Sequence, residues 1–173
     1  MTEPNVFNNA AYVIKQINAA LGGPPVKKTL HKMIYLIQKS GADLGYDYHL
    51  YFYGPYSADL DSAVMELVAD GVVGMEYTEY GHRLGVKAKT GSVLSEDADE
   101  EKVNKVIDYF IGNGWKARKL ELLATAVYAH ECGAKKDRQG VIEGVKKIKG
   151  DKYNDSEIKE VLKEFDFLGL KFE

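Results

Sequence analysis

Apolar residues at Val6, Ala10, Val13, Ile17 and Leu21 recur at three- and four-residue steps, the spacing that lines one face of an α-helix, before Gly22-Gly23-Pro24-Pro25 stops the pattern. A helix over 6–21 is predicted. Leu30, Met33, Ile34 and Ile37 stripe a second helix from Val26 to Ser40, with Lys27, Lys28, Lys32 and Lys39 elsewhere on the cylinder. Tyr48-His49-Leu50-Tyr51-Phe52-Tyr53 has strand composition and is closed by Gly54-Pro55, so a brief strand is expected there. Ser57 then stands as an N-cap, Asp59 and Asp61 sit in the first turn where the helix dipole favours anions, and Leu60, Val64, Leu67 and Val68 stripe a third helix to about Asp70. Val72 to Tyr77 and Arg83 to Lys87, flanking the connection Thr78 to His82, read as a β-hairpin.

The polar, acidic stretch from Thr90 to Glu101 marks a boundary or a loop. Beyond it four apolar stripes predict four helices: Val103, Val106, Ile107 and Phe110; Leu120, Leu123 and Val127; Val141, Val145 and Ile148; and Ile158, Val161, Leu162 and Phe165 behind an Asp155 cap. The expected fold is α+β and mostly helical. A winged-helix-like N-terminal unit with a short β-hairpin over 1–90 packs on a C-terminal helical unit over 91–173, the two forming one compact domain.

Composition narrows the class. With 173 residues, 45% hydrophobic and 28% charged, the chain can fill a core without staples. The single Cys132 cannot form an internal disulfide and fits a reducing compartment. No run approaches 18 apolar residues and the start lacks a signal-peptide pattern, so a cytoplasmic protein away from the membrane is expected. The pattern carries no signal of oligomeric state.

The line Leu30-His31-Lys32-Met33-Ile34-Tyr35, followed by Tyr53-Gly54-Pro55-Tyr56-Ser57, an acidic helix and Gly71-Val72-Val73, resembles the Panacea antitoxin domain (SocA-like), and most of all the YwgA-type proteins. Leu120 to Thr125 and the terminal helix from Ser156 to Leu170 extend the resemblance over most of the chain. The resemblance implies a compact, mostly helical protein that neutralises a toxin by direct binding. Within the motif, Leu30, Lys32, Tyr35, Tyr53, Gly54, Pro55, Tyr56 and Ser57 are expected to be structural, since Pro fixes φ and the Gly-Pro pair aims the third helix.

Charge decides between partner classes. Between Gly41 and His82 lie eight acidic residues and no Lys or Arg, which in a chain of net −3 leaves +5 on the rest. In a winged helix, the helix from Ser57 to Asp70 would enter the DNA major groove. It carries Asp59, Asp61, Glu66 and Asp70 and none of the Arg, Lys, Asn or Gln that read bases and displace counterions. A nucleic-acid partner is therefore disfavoured and a basic protein, such as a toxin, is favoured. Seven tyrosines between Tyr46 and Tyr80 add interface-type surface, about half of them expected in the core. The expected partner-binding residues are Asp43, Tyr46, Tyr48, Asp59, Asp61, Glu66 and Tyr80. The alternative is a winged-helix DNA-binding transcriptional regulator using Lys27, Lys28 and Arg83.

Catalytic chemistry finds no footing. His130-Glu131-Cys132 are too close in sequence to share a helix face, and no ligand pair at zinc spacing accompanies them. His31 reads as an interfacial or surface histidine, and Asp59 with Asp61 as dipole partners rather than an acid/base pair. The basic positions from Lys116 to Lys152, Lys149 among them, read as a solvated helical surface, with a C-terminal nucleic-acid patch, diluted by interleaved acids, as the alternative. Neither a P-loop, a GxGxxG, a GxSxG nor an HExxH occurs. A non-enzymatic binding protein without metal or cofactor is the expectation.

Overall fold

The computed structural model of the chain describes residues 5–52, 54–87 and 97–173, with side chains from residue 99 in the last segment. Tyr53 of the aromatic motif, residues 1–4 and residues 90–96 of the acidic boundary lie outside the described residues.

Helix α1 spans Val6–Leu21, started by the Asn5 side chain accepting from the Asn8 N–H and ended by Gly22 in the left-handed conformation (φ +73°). Helix α2, Lys27–Lys39, follows the Pro24-Pro25 stop and has Val26 as its N-cap, with no side-chain cap bond. It is buried on nearly every side from Leu30 to Ile37, because helices α1, α4 and α5 and strands β2 and β4 all pack on it.

Strands β1 (His49–Tyr51) and β2 (Gly54–Tyr56) form a tight antiparallel hairpin in register Leu50 to Pro55. Gly54-Pro55 therefore continues a sheet instead of closing a single strand as the sequence reading expected. The reason is positional: Pro lacks an N–H, which an edge strand tolerates, and Gly54 supplies the φ of +92° that the turn back requires. Ser57 accepts from the Leu60 N–H at 3.1 Å and starts α3, Ala58–Ala69, as expected.

Strands β3 (Val73–Thr78) and β4 (Gly81–Val86) pair from Val73↔Val86 to Thr78↔Gly81, so the connection is Glu79-Tyr80 and not the five residues anticipated. Thr78 Oγ1 donates to the Gly81 carbonyl at 2.7 Å and accepts from the Tyr80 N–H, clamping the turn. Helices α4 (Asp97–Phe110), α5 (Ala117–Cys132), α6 (Arg138–Lys149) and α7 (Asp155–Leu162) complete the described elements, α7 beginning in a capping box of Asn154 and Glu157. The fold is α+β and mostly helical. One buried cluster takes in Ile14, Leu36, Leu123 and Phe165, so the N-terminal and C-terminal elements share a core, with α5 at its centre against α2, α6, α7 and β2.

Candidate functional site

Residues four apart on a helix share a face, so Lys27 with His31, and Lys28 with Lys32, stand in two rows at the start of α2. The two hairpins close over this end of the helix. Between them lies a cavity of about 270 Å³ walled by Val26, Lys27 and Lys28, by His31, Lys32 and Tyr56, and by the turn from Tyr80 to His82. A second cavity of about 250 Å³ shares Lys28 and Lys32 and is walled on its far side by Arg118, Glu121 and Lys152.

His31, expected at an interface or surface, is 1% exposed. It lies opposite the apolar stripe of α2, where β2 covers it: its ring stacks on Tyr56 at 4.1 Å and 7°. Its carbonyl accepts from the Tyr48 hydroxyl at 2.7 Å. Nδ1 accepts from the Ser57 N–H at 3.3 Å. A backbone N–H only donates, so the lone pair is on Nδ1 and the proton on Nε2. Burial, then the adjacent Lys32 ammonium, push the imidazole pKa down to about 3, and the ring is neutral near pH 7.

That shift has a stability consequence with a definite sign. Between the ordinary value of 6.5 and about 3 the unfolded chain binds a proton here that the folded chain refuses. Stability therefore falls as pH falls through this window, by up to about 1.4 kcal/mol per pH unit. His31→Asn keeps an acceptor near Nδ1 and removes the titration. Urea melts at pH 7, 6 and 5 are expected to show the slope in the parent and a flatter profile in the variant; equal slopes would transfer the acid sensitivity to other groups.

Lys32 is buried as well, its Nζ donating to the Pro55 carbonyl at 2.7 Å. Burial, opposed by Glu121, brings its pKa down to about 8. Glu121 itself is buried and accepts from Lys149 Nζ at 3.0 Å, Lys152 Nζ at 2.5 Å and the Tyr153 hydroxyl at 2.5 Å. Burial pushes the Glu121 carboxyl up, yet the bonds from Lys152, Tyr153 and Lys149 outweigh it and hold the pKa below the usual range. Lys149 also donates to the Phe52 carbonyl at 3.0 Å, tying the β1–β2 turn to α6. Its side chain is only 5% exposed, a correction to the solvated surface expected for it, because Glu121 draws it inward.

The expected partner-binding residues separate into two groups. Asp43, Asp59, Glu66 and Tyr80 are exposed, and the Asp47 N–H donates to Asp59, which joins the loop over 41–47 to the start of α3. Tyr46 and Tyr48 are not available to a partner as expected. Tyr46 is buried, with its hydroxyl on the Val6 carbonyl and its backbone on Gln38, and the Tyr48 hydroxyl is spent on His31. Asp61 is half-buried in an ion pair with Lys27. Sequence reasoning missed Phe52, 92% exposed at the tip of the first hairpin, and the exposed Tyr51, Tyr77 and Met65. An aromatic in the two-residue gap between paired strands was the signal for Phe52.

Of the motif residues, Leu30 and Tyr35 are in the core, and Lys32, Gly54, Pro55, Tyr56 and Ser57 meet around the α2–β2 contact. His130, Glu131 and Cys132 serve different neighbours: His130 Nε2 lies 2.8 Å from the Lys171 carbonyl, Glu131 pairs with Lys39 at 2.5 Å, and Cys132 is exposed. Among the described residues no helix is long and apolar enough to cross a membrane.

No family model matches the chain. It is 28% identical over 138 residues to the Bacillus subtilis (strain 168) protein described as "Uncharacterized protein YwgA", an alignment covering 75% of this chain and 81% of that protein. Along most of its length, then, the chain is similar to a YwgA-type protein.

Proposed function

We propose that the chain is a non-enzymatic protein-binding module that docks a basic partner on its two hairpin tips and the outer face of α3, in the antitoxin-like manner the Panacea resemblance suggests. The observation that carries this reading is the exposure of Tyr51, Phe52, Tyr77 and Tyr80 on two hairpins that bracket one cavity. Single exposed apolar residues are ordinary, but exposed aromatic side chains carried by both hairpins are the kind of surface that interface cores use. On α3 and its C-cap Asp59, Glu66 and Asp70 are exposed, which selects a partner of opposite charge and repels a phosphate backbone.

Capture of a basic protein by the immobilised chain tests the reading. Phe52→Ala is expected to weaken capture by about 2 kcal/mol, roughly 30-fold, as for a central aromatic anchor. Asp59→Lys with Glu66→Lys is expected to slow association and flatten its salt dependence. Phe52 and Glu66 are exposed, so changes there should leave the melting temperature in place, whereas Asp59→Lys also removes a first-turn anion and the acceptor of the Asp47 N–H and should lower it a little. Capture indifferent to both changes would remove this face, and salt-sensitive binding of duplex DNA by the parent would favour the winged-helix regulator instead.

A further inference from the structure

Residues three and four apart share a helix face, so Arg118, Lys119 and Leu122 on α5 form one wall of a cavity and Glu157, Glu160 and Val161 on α7 another. The α4–α5 connection supplies much of the remaining lining. There Gly114 takes a φ of +80°, the Trp115 N–H donates to the Phe110 carbonyl at 3.0 Å, and the Trp115 and Phe110 rings meet edge to face at 4.7 Å. The cavity measures about 400 Å³ and is mainly apolar, lined by the buried Leu122, Tyr153 and Val161 and the half-buried Trp115. Small-molecule sites are mostly apolar clefts of about 300–1,000 Å³, a range this cavity enters and the two beside α2, at about 270 and 250 Å³, do not.

Charges of both signs line it, but they are not equally engaged. Glu157 accepts from the Asn154 N–H at 2.9 Å and pairs with Arg118 at 3.4 Å, and Glu160 pairs with Lys163 at 2.9 Å. Arg118 is further occupied by the Lys152 carbonyl at 2.8 Å and lies over the Tyr153 ring. Lys116 and Lys119 are in no ion pair among the described residues: Lys116 is exposed, and the Lys119 ammonium lies over the Trp115 ring, 4.0 Å from its centroid. Each carboxylate of the cavity therefore has a cation, while two cations lack a carboxylate. Both stand at the start of α5, where the helix dipole disfavours cations and no first-turn acid offsets them, so the local field favours a negative charge. An occupant complementary to this lining is apolar over most of its surface and anionic at one end. Its apolar part meets an indole and a phenol, and aromatic rings pack on one another more favourably than the area they bury accounts for.

We propose that this cavity binds a small aromatic monocarboxylate, its ring against Trp115 and Tyr153 and its carboxylate between Lys116 and Lys119. The site shares no residue with the hairpin tips and α3 face assigned to a protein partner, so neither assignment depends on the other.

Trp115 is the single tryptophan of the chain, so its fluorescence reports on this cavity with no second indole to confuse it. Titration of the full chain with hydrocinnamate at fixed ionic strength is expected to shift the Trp115 emission saturably and to shield the ring from acrylamide. Hydrocinnamyl alcohol keeps the ring without the charge and should bind about tenfold more weakly, as for two partly exposed ion pairs lost. Hexanoate keeps the charge without the ring and should bind about fivefold more weakly. Lys116→Gln with Lys119→Gln should bring the acid down to the affinity of the alcohol and leave the alcohol unchanged. Lys116→Gln alone, at an exposed position that leaves the Lys119 contact with Trp115 in place, should weaken the acid by about threefold in a protein with the parent's melting temperature. No saturable change at Trp115 with millimolar hydrocinnamate would overturn the site. Alcohol bound as tightly as acid, or acid affinity unchanged in the double variant, would overturn the carboxylate assignment, and hexanoate bound as tightly as hydrocinnamate would overturn the ring.

Discussion

Glu121→Ala is expected to cost about 3–5 kcal/mol of unfolding free energy, the range for removing one member of a buried charge cluster. The side chain is 9% exposed and holds two ammonium groups and a phenol, from Lys149, Lys152 and Tyr153. Lys152 is partly exposed and can turn to water, but Lys149 is 5% exposed and would be left charged in the interior. Lys32, held at a depressed pKa of about 8 by burial, loses the one carboxylate that favours its charged form. The damage should extend to the first hairpin, because Lys149 also holds the Phe52 carbonyl. Urea unfolding followed by circular dichroism measures the loss. A second variant separates lost charge pairing from lost volume: Lys149→Met on the Glu121→Ala background removes the stranded ammonium and should recover part of the stability. A loss under about 1 kcal/mol in the single variant would show that the cluster is solvated in solution and behaves like a surface ion pair.

The same cluster explains what could and could not be read from the chain. Each helix was legible because its apolar residues recur at three and four, and the Ser57 cap and the Gly22 stop are local signals whose partners lie within a few residues. Glu121 and Lys149 are 28 residues apart, and Lys32 reaches a carbonyl 23 residues on. A periodicity argument sends all such charges to the surface, since nothing local announces the partner that permits burial. His31 was misplaced for the same reason: the strand that covers it begins after a break of fourteen residues, with the Gly-Pro pair that reads as a terminator. Turn lengths failed because side chains decided them, Thr78 clamping a two-residue connection within a segment that composition alone makes longer. Tyr46 was recoverable. Ala42, Leu44 and Tyr46 are buried while Asp43, Gly45 and Asp47 are exposed, an alternation visible in the letters that places Tyr46 inside and Asp43 outside. Which of the remaining tyrosines face outward depended on hairpin register, and Tyr51 and Tyr77 came to light only with it.

Gly54→Ala should destabilise the protein by about 2–4 kcal/mol, from two separable causes. The backbone φ of +92° is one that a side-chain-bearing residue adopts only under strain. The added Cβ would also stand 3.0 Å from Thr125 Oγ1, with Glu121 Cγ at 3.7 Å and Lys32 Cε at 3.8 Å. Neither direction offers relief: Thr125 is fully buried on α5, and the other two atoms belong to the charge cluster and to the Lys32 clasp on Pro55. Thr125 gives a means of dividing the cost, since its Oγ1 has no hydrogen-bond partner among the described residues and removing it breaks no such bond. In a double-mutant cycle, Thr125→Ala should restore about 1–2 kcal/mol to Gly54→Ala by clearing the steric part, leaving the backbone strain in place. Strict additivity, within about 0.5 kcal/mol, would assign the whole effect to φ and mean that β2 stands further from α5 in solution than the 3.0 Å approach requires. A coupled result means that the absence of a side chain at residue 54 lets β2 lie close enough to α5 for Lys32 to reach Pro55 and for Lys149 to reach Phe52, and so sets where the exposed aromatic tip of the hairpin is presented.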